Sequence, residues 1–377
     1  MNLQNPKKFK MLIDQAHEVA LNVLRPISRK YDKAEHAYPK ELDMLSSLVD
    51  GMNQSGDGLN AGAAVNKRGD TQTGNKNGVN MSTALSVVEM CYGDTGLLLS
   101  MPRQGLGNSA IAAVANDEQL KRFDGVWAAM AITEPGCGSD SAAIRTTATL
   151  DGDHYILNGE KIFVTSGERA DAVVVWATLD KKLGRAAIKS FVVEKGTPGM
   201  NIDRLEHKLG IKASDTAAIS FIDCRVPAAN LLGNAEIDVA KGFAGVMETF
   251  DNTRPLVAAM AIGCAKASLE RIKEIFKDSI DPTYATPYLQ SSNIAAQIYR
   301  MEAEWEAARL LMIKAAWMAD NKIPNSREAS ISKAKAGRIA NEITLKCVEL
   351  ATCVGYNEDE QQEKWARDSK ILDIFEG

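Results

Sequence analysis

Histidine is scarce in this chain, with only His17, His36, His154 and His207 among 377 residues. None has the spacing of a zinc or iron site, and no nucleophile-elbow serine accompanies them, which sets aside common metal-dependent and serine-hydrolase chemistries. A GxxxxGK phosphate loop is also missing; GDTQTGNK at 69–76 approaches one in composition only and reads as a turn-rich loop. The six cysteines, Cys91, Cys137, Cys224, Cys264, Cys347 and Cys353, form no CxxC pair, and this predicts reduced thiols in a cytoplasmic compartment. The longest apolar run, around Leu256 to Ala265, falls well short of the about 20 residues that cross a bilayer. The opening MNLQNPKKFK lacks the apolar core of a signal peptide. Basic excess is absent too: 44 Lys and Arg against 49 Asp and Glu give a net charge of -5, without the footprint that nucleic acid or an anionic membrane requires. A soluble, cytoplasmic protein that binds neither is expected.

What is present is enough chain for two or three domains at about 150 residues each. Its hydrophobic share of 45% and charged share of 25% are ordinary for a globular protein and exclude a disordered or fibrous class. Residues 1–125 read as an N-terminal α-helical domain, with Leu12, Ala16, Val19, Val23 and Ile27 forming one stripe. A Gly-, Asn- and Asp-rich run between Gly51 and Asn80 predicts a long loop, open to two readings: a lid or a plain surface excursion. Residues 126–234 change to short β-branched runs (HYILNG, KIFVTSG, DAVVVWATL, KSFVVEKG, AAISFIDCRVP), which predict a middle β-barrel or sandwich domain. From 235 to 377 long helical segments return and predict a four-helix bundle. The fold class expected is α+β multidomain.

Two segments of the β zone carry chemistry. In ITEPGCGSD (132–140), Pro135, Gly136 and Gly138 make a bend whose bare N–H groups can approach a flat polar ligand, with Thr133 and Ser139 adding hydroxyls. The second is NGEKIFVTSG (158–167). Together they resemble the flavin-binding middle domain of the acyl-CoA dehydrogenases. The likeness extends over nearly the whole chain, through GLLLSMPRQGLGNSAI (96–111), LEHKLGIKASDTAAISFIDCRVPAANLLG (205–233), FDNTRP (250–255) and RDSKILDIFEG (367–377).

That resemblance implies FAD-dependent removal of two hydrogens from an acyl-CoA thioester, a step of fatty-acid β-oxidation. Glu376 matches the family's base, with its own backbone N–H and Gly377 beside the thioester. A free Glu titrates near about 4.3, so desolvation is needed to make it a competent base. Some relatives place the base on the first bundle helix, where this chain has Thr253; a hydroxyl cannot serve. For the flavin, the resemblance assigns Met130, Ala131, Ile132, Thr133, Gly138 and Ser139 on one side and Phe163, Val164 and Thr165 on the other, with strand packing an open alternative for Phe163 and Val164. Ser139, Asp251 and Arg254 match contacts to CoA, although an Arg at a helix start also suits a surface ion pair. Electron-transfer flavoprotein is the implied acceptor, and a homodimer or homotetramer the implied assembly.

Two segments depart from the family pattern. Where relatives have RxxFG, whose Arg reaches the FAD pyrophosphate of a neighbouring subunit, this chain reads DPTYATP (281–287), and Asp281 reverses the charge. Where relatives have Gln followed by GGxG, this chain has Glu349, Thr352 and Cys353. Three functions are therefore weighed: an FAD-dependent dehydrogenase, one subunit of a mixed tetramer whose partner completes the FAD site, and a non-enzymatic acyl-CoA-binding protein.

Overall fold

The computed structural model describes residues 5–54, 78–103, 106–237, 244–281, 283–287 and 290–376. Most of the loop expected at 51–80 lies outside these residues, as does Gly377. Helix α1 (Lys10–Val19) passes through a π turn, Ala20–Leu24, into α2 (Arg25–Lys33). Pro26 has no N–H to donate, and the Arg25 N–H reaches back to the Ala20 carbonyl instead. Then follow α3 (Glu41–Gln54), α4 (Val79–Gly93), α5 (Thr95–Leu99), α6 (Leu106–Val114) and α7 (Asp117–Arg122). The last is fixed by a reciprocal cap between Asn116 and Gln119.

The middle region is one curled seven-stranded sheet: β1 (Ala128–Ala131), β2 (Thr147–Asp151), β3 (His154–Thr165), β4 (Ala172–Thr178), β5 (Ile188–Glu194), β6 (Met200–Leu205) and β7 (Thr216–Pro227). Its order is β1-β4-β2-β3-β7-β6, with β5 also on β4. HYILNG and KIFVTSG, expected as two strands, are a single strand, while β1, β2 and β6 were not anticipated. Strand β4 is buried along its whole length because both faces are covered. Val173, Val175 and Ala177 point into one apolar cluster and Ala172, Val174 and Trp176 into the other, the period-2 alternation of a strand. The second face is roofed by α6, which lies so close that a Cβ on Gly107 would sit 2.3 Å from the Ala129 carbonyl.

Four helices complete the chain: α8 (Ala244–Ile275), α9 (Asn293–Asp320), α10 (Ser326–Tyr356) and α11 (Gln362–Ile374). FDNTRP lies in the interior of α8; Pro255, a residue that suits a first turn, lies well inside the helix. These helices share one hydrophobic core with α1 to α5. Asp320 at the end of α9 accepts from the N–H groups of Gly78, Asn80 and Met81 at 2.6, 2.9 and 3.1 Å, capping α4 from another helix.

Candidate active site

Strand β1 is held to α6 by Asn108, whose amide donates to the Val126 carbonyl (2.7 Å) and accepts from the Ala128 N–H (3.1 Å). Beyond β1 the chain turns through Glu134 to Cys137, which exchange backbone hydrogen bonds of 2.9 and 3.1 Å. Cβ atoms built on Gly136 and Gly138 would meet nothing within 4 Å, so these glycines leave an open face rather than relieve crowding within the chain. Such a face suits a closely approaching flat ligand.

The two predicted cofactor segments are brought together by a β-bulge. The β3–β7 register slips between Lys161 and Val164, and the Ile162 N–H bonds the Thr133 carbonyl at 2.9 Å. At the bulge Phe163 takes a left-handed backbone (φ 56°) and is 61% exposed, a costly arrangement for an aromatic residue that presents its ring outward beside Thr133. Val164 is buried in the sheet core and its carbonyl accepts from the Gly167 N–H at 3.1 Å, so it serves strand packing, while Thr165 is half-buried. Met130, Ile132 and Thr133 are half-buried, Ala131 is buried, and Gly138 and Ser139 are exposed.

Beneath this surface lies a pair that sequence reasoning missed. Lys161 is fully buried and donates to Glu134 Oε1 at 2.8 Å and to the Ile132 carbonyl at 3.0 Å. Glu134 also accepts from the Arg145 and Thr146 N–H groups (2.7 and 2.9 Å) and the Thr146 hydroxyl (2.6 Å). Burial raises the proton affinity of the Glu134 carboxylate, but Lys161 and these donors outweigh it and hold the carboxyl below its usual range. The pair fastens the loop to β3. Both residues stood inside the quoted motifs; a lysine among the apolar residues of a strand was the available signal.

The surroundings of Glu376, the predicted base, come from three helices. Helix α11 ends at Ile374, and Glu376 takes a left-handed conformation (φ 64°). The Thr253 hydroxyl of α8 donates to Glu376 Oε2 at 2.6 Å, and Arg254 Nε reaches the Glu376 carbonyl at 3.3 Å. Desolvation raises the Glu376 carboxyl above its ordinary value, against the smaller downward pull of Thr253, Arg254 and Lys333. The Arg254 guanidinium also donates to Ser330 of α10 (3.1 Å) and lies over the Phe250 ring (5.2 Å). Asp251 accepts from the Ser326 hydroxyl, and its Oδ1 is buried without a partner, an acceptor left for a ligand donor.

Phe250 links the two halves. It packs against the same apolar cluster as Met130, Ile132 and Cys137, placing the α8 turn that carries Thr253 and Arg254 against the cofactor loop. Thr253→Val should remove the donor that favours the ionised base. Glu376 then holds its proton to higher pH, and the acid limb of a kcat–pH profile should move up; an unmoved limb in a folded variant would contradict this geometry.

Two other features lie apart. A hollow of about 650 Å³, lined in part by Tyr38, Arg103, Trp127 and Arg169, contains none of the predicted site residues. Glu35, His36 and His207 bring ligand-type atoms within 4.8 Å, a proximity invisible in sequence spacing. Glu35 is already committed to His207 (3.0 Å) and the Lys208 N–H (2.9 Å), with Lys212 at 3.9 Å.

Helices before and after a curled sheet, with a half-buried carboxylate following α11, define a protein of the acyl-CoA dehydrogenase fold. The family model described as acyl-CoA dehydrogenase, middle domain, matches residues 129–224, and that of the C-terminal domain matches 240–377. The short-chain-specific acyl-CoA dehydrogenase of Clostridium acetobutylicum is 32% identical over all of this chain and 96% of its own. Butyryl-CoA dehydrogenase from Megasphaera elsdenii superposes with a TM-score of 0.85 at 30% identity, covering 100% of this chain and 96% of that one. A chain in a structure described as the electron transferring flavoprotein of Acidaminococcus fermentans gives 0.82 at 31% identity, with the same coverage. The chain belongs to the acyl-CoA dehydrogenase family.

Proposed function

We propose that this protein dehydrogenates an acyl-CoA thioester to the 2,3-enoyl-CoA. The observation that carries the reading is the Glu376 carboxylate: half-buried, turned back by a left-handed residue and held by Thr253. Raised proton affinity brings it toward working pH, where it can take the weakly acidic α-proton. The 130–139 loop and residues 163–165 would hold FAD, which when bound would supply the acceptor for the β-hydrogen as hydride. Open glycines, an outward Phe163 and half-buried Thr133 and Thr165 suit its ring; Arg254, Asp251 and Ser139 suit the CoA moiety. Backbone N–H groups near Glu376 would stabilise the developing enolate.

The pyrophosphate end fits less well. Asp281 accepts four hydrogen bonds, from the N–H and hydroxyl groups of Thr283 and Thr286 at 2.6 to 2.9 Å, and these hold it well below the usual carboxylate range. It stays anionic where relatives place an Arg. This favours a second reading, in which a related chain supplies the missing cation in a mixed tetramer.

The test is a purified yellow protein that reduces an electron-carrier dye with acyl-CoA, screened from short chains upward because two of the relatives named above are a short-chain-specific acyl-CoA dehydrogenase and a butyryl-CoA dehydrogenase. A colourless protein that cannot be reconstituted, alone or with a co-purifying related chain, overturns the reading. Among the described residues no helix is long and apolar enough to cross a membrane. Electron-transfer flavoprotein as acceptor, a cytoplasmic location and the division at 125/126 and 234/235 belong to the same proposal.

A further inference from the structure

Lys333 lies on α10 with 2% of its surface exposed, and its ammonium donates to the Asp373 carbonyl at 3.3 Å, in the last turn of α11. One turn further along, α10 and α11 meet backbone to backbone: a Cβ on Gly337 would lie 2.5 Å from the Leu372 carbonyl. The bond is therefore made across a contact too tight to slide. A cation at the carbonyl end of a helix is favoured by the helix dipole as well. The groups acting on Glu376 come from three elements: Thr253 and Arg254 of α8, Lys333 of α10, and the turn that continues α11. Asp373, on α11 itself, is drawn to Lys370 at 3.3 Å and also attracts Lys333.

We infer that Lys333 is a positioning residue for the base: it fixes the carbonyl end of α11 from which the left-handed turn at Glu376 departs. Burial lowers the Lys333 proton affinity, while Asp373 and Glu376 act the other way, so the cation and the base depend on one another. The inference rests on the role proposed for Glu376, but its coupling can be read without turnover.

The experiment titrates the carboxyl of Glu376 by infrared difference spectroscopy on the purified full-length protein, its band identified by its loss in Glu376→Gln. In Lys333→Met and Lys333→Gln the midpoint should move up, the direction expected when the anchored turn and a favourable positive charge are lost together. Lys333→Arg should restore it, and kcat of the active enzyme should fall at neutral pH and recover as pH rises. Folded Met or Gln variants with an unmoved midpoint overturn the inference. If the midpoint moves but no acyl-CoA is oxidised, the coupling stands and the proposed activity falls.

Discussion

Glu376→Gln is expected to lower turnover of acyl-CoA by at least about 10³-fold while the protein stays folded and retains its ligands. Gln keeps the shape and can still accept from Thr253, but cannot take a proton, and positioned general bases contribute about 10² to 10⁴ in rate. Because Thr253 is the residue at the family's alternative base position, no second carboxylate stands ready there. The loss should appear in kcat with little change in KM, since proton abstraction is needed only beyond the bound state. Stability should move the other way. A carboxyl whose proton affinity is raised on folding stabilises the fold when protonated at low pH, and that contribution is lost as pH rises through its raised value. Gln mimics the protonated state at every pH, so the variant should be no less stable than the parent at neutral pH. Retention of more than about a tenth of the parent kcat, measured as dye reduction, would remove Glu376 from the mechanism.

The candidate site was legible in the chain because its residues are clustered: the proposed cofactor segments are short motifs, and the proposed base sits at the end of another. Elements whose identity depends on tertiary context were harder. Strand β1 reads AAMA, without a β-branched residue, and is a strand because it pairs in parallel with Ala172 to Val175 of β4. Strand β6, MNIDRL, is a largely exposed edge whose polar side chains hide it. Asp281 was legible as a reversed charge, but not as the acceptor that organises its own turn. Thr352 likewise signalled a lost glycine, yet the structure retains a backbone there (φ 54°, ψ -130°) that glycine adopts far more readily. That kink survives the substitution because α10 is packed on both sides of it, at Ala351 and Gly355.

Lys364→Met is expected to cost about 3–5 kcal/mol, the range for removing one partner of a buried ion pair. Lys364 is 2% exposed and lies between Asp94 (2.7 Å) and Asp368 (2.5 Å), both also buried. Burial opposes its charge, but the two carboxylates outweigh this and raise its proton affinity, so it remains a cation at any pH the protein meets. Each carboxylate has a further task. Asp94 caps α5 through the Leu97 N–H (2.8 Å) and accepts from Ser28 of α2, while Asp368 accepts from the Ile211 N–H at 2.6 Å. At that crossing Gly210 is so close to α11 that a Cβ would lie 2.4 Å from the Arg367 carbonyl. One ammonium thus ties the amino-terminal helices and the segment following β6 to the helix that ends at the base. Met fills similar volume but leaves two carboxylates facing each other in a dry interior, so the loss is electrostatic rather than a cavity. Adding Asp94→Asn and Asp368→Asn to the Met variant should therefore recover part of the stability in chemical denaturation. A single-variant loss below about 1 kcal/mol, or no recovery in the triple variant, would show that water or a shifted α11 neutralises the acids. In that event the placement of Glu376 could not depend on this network either.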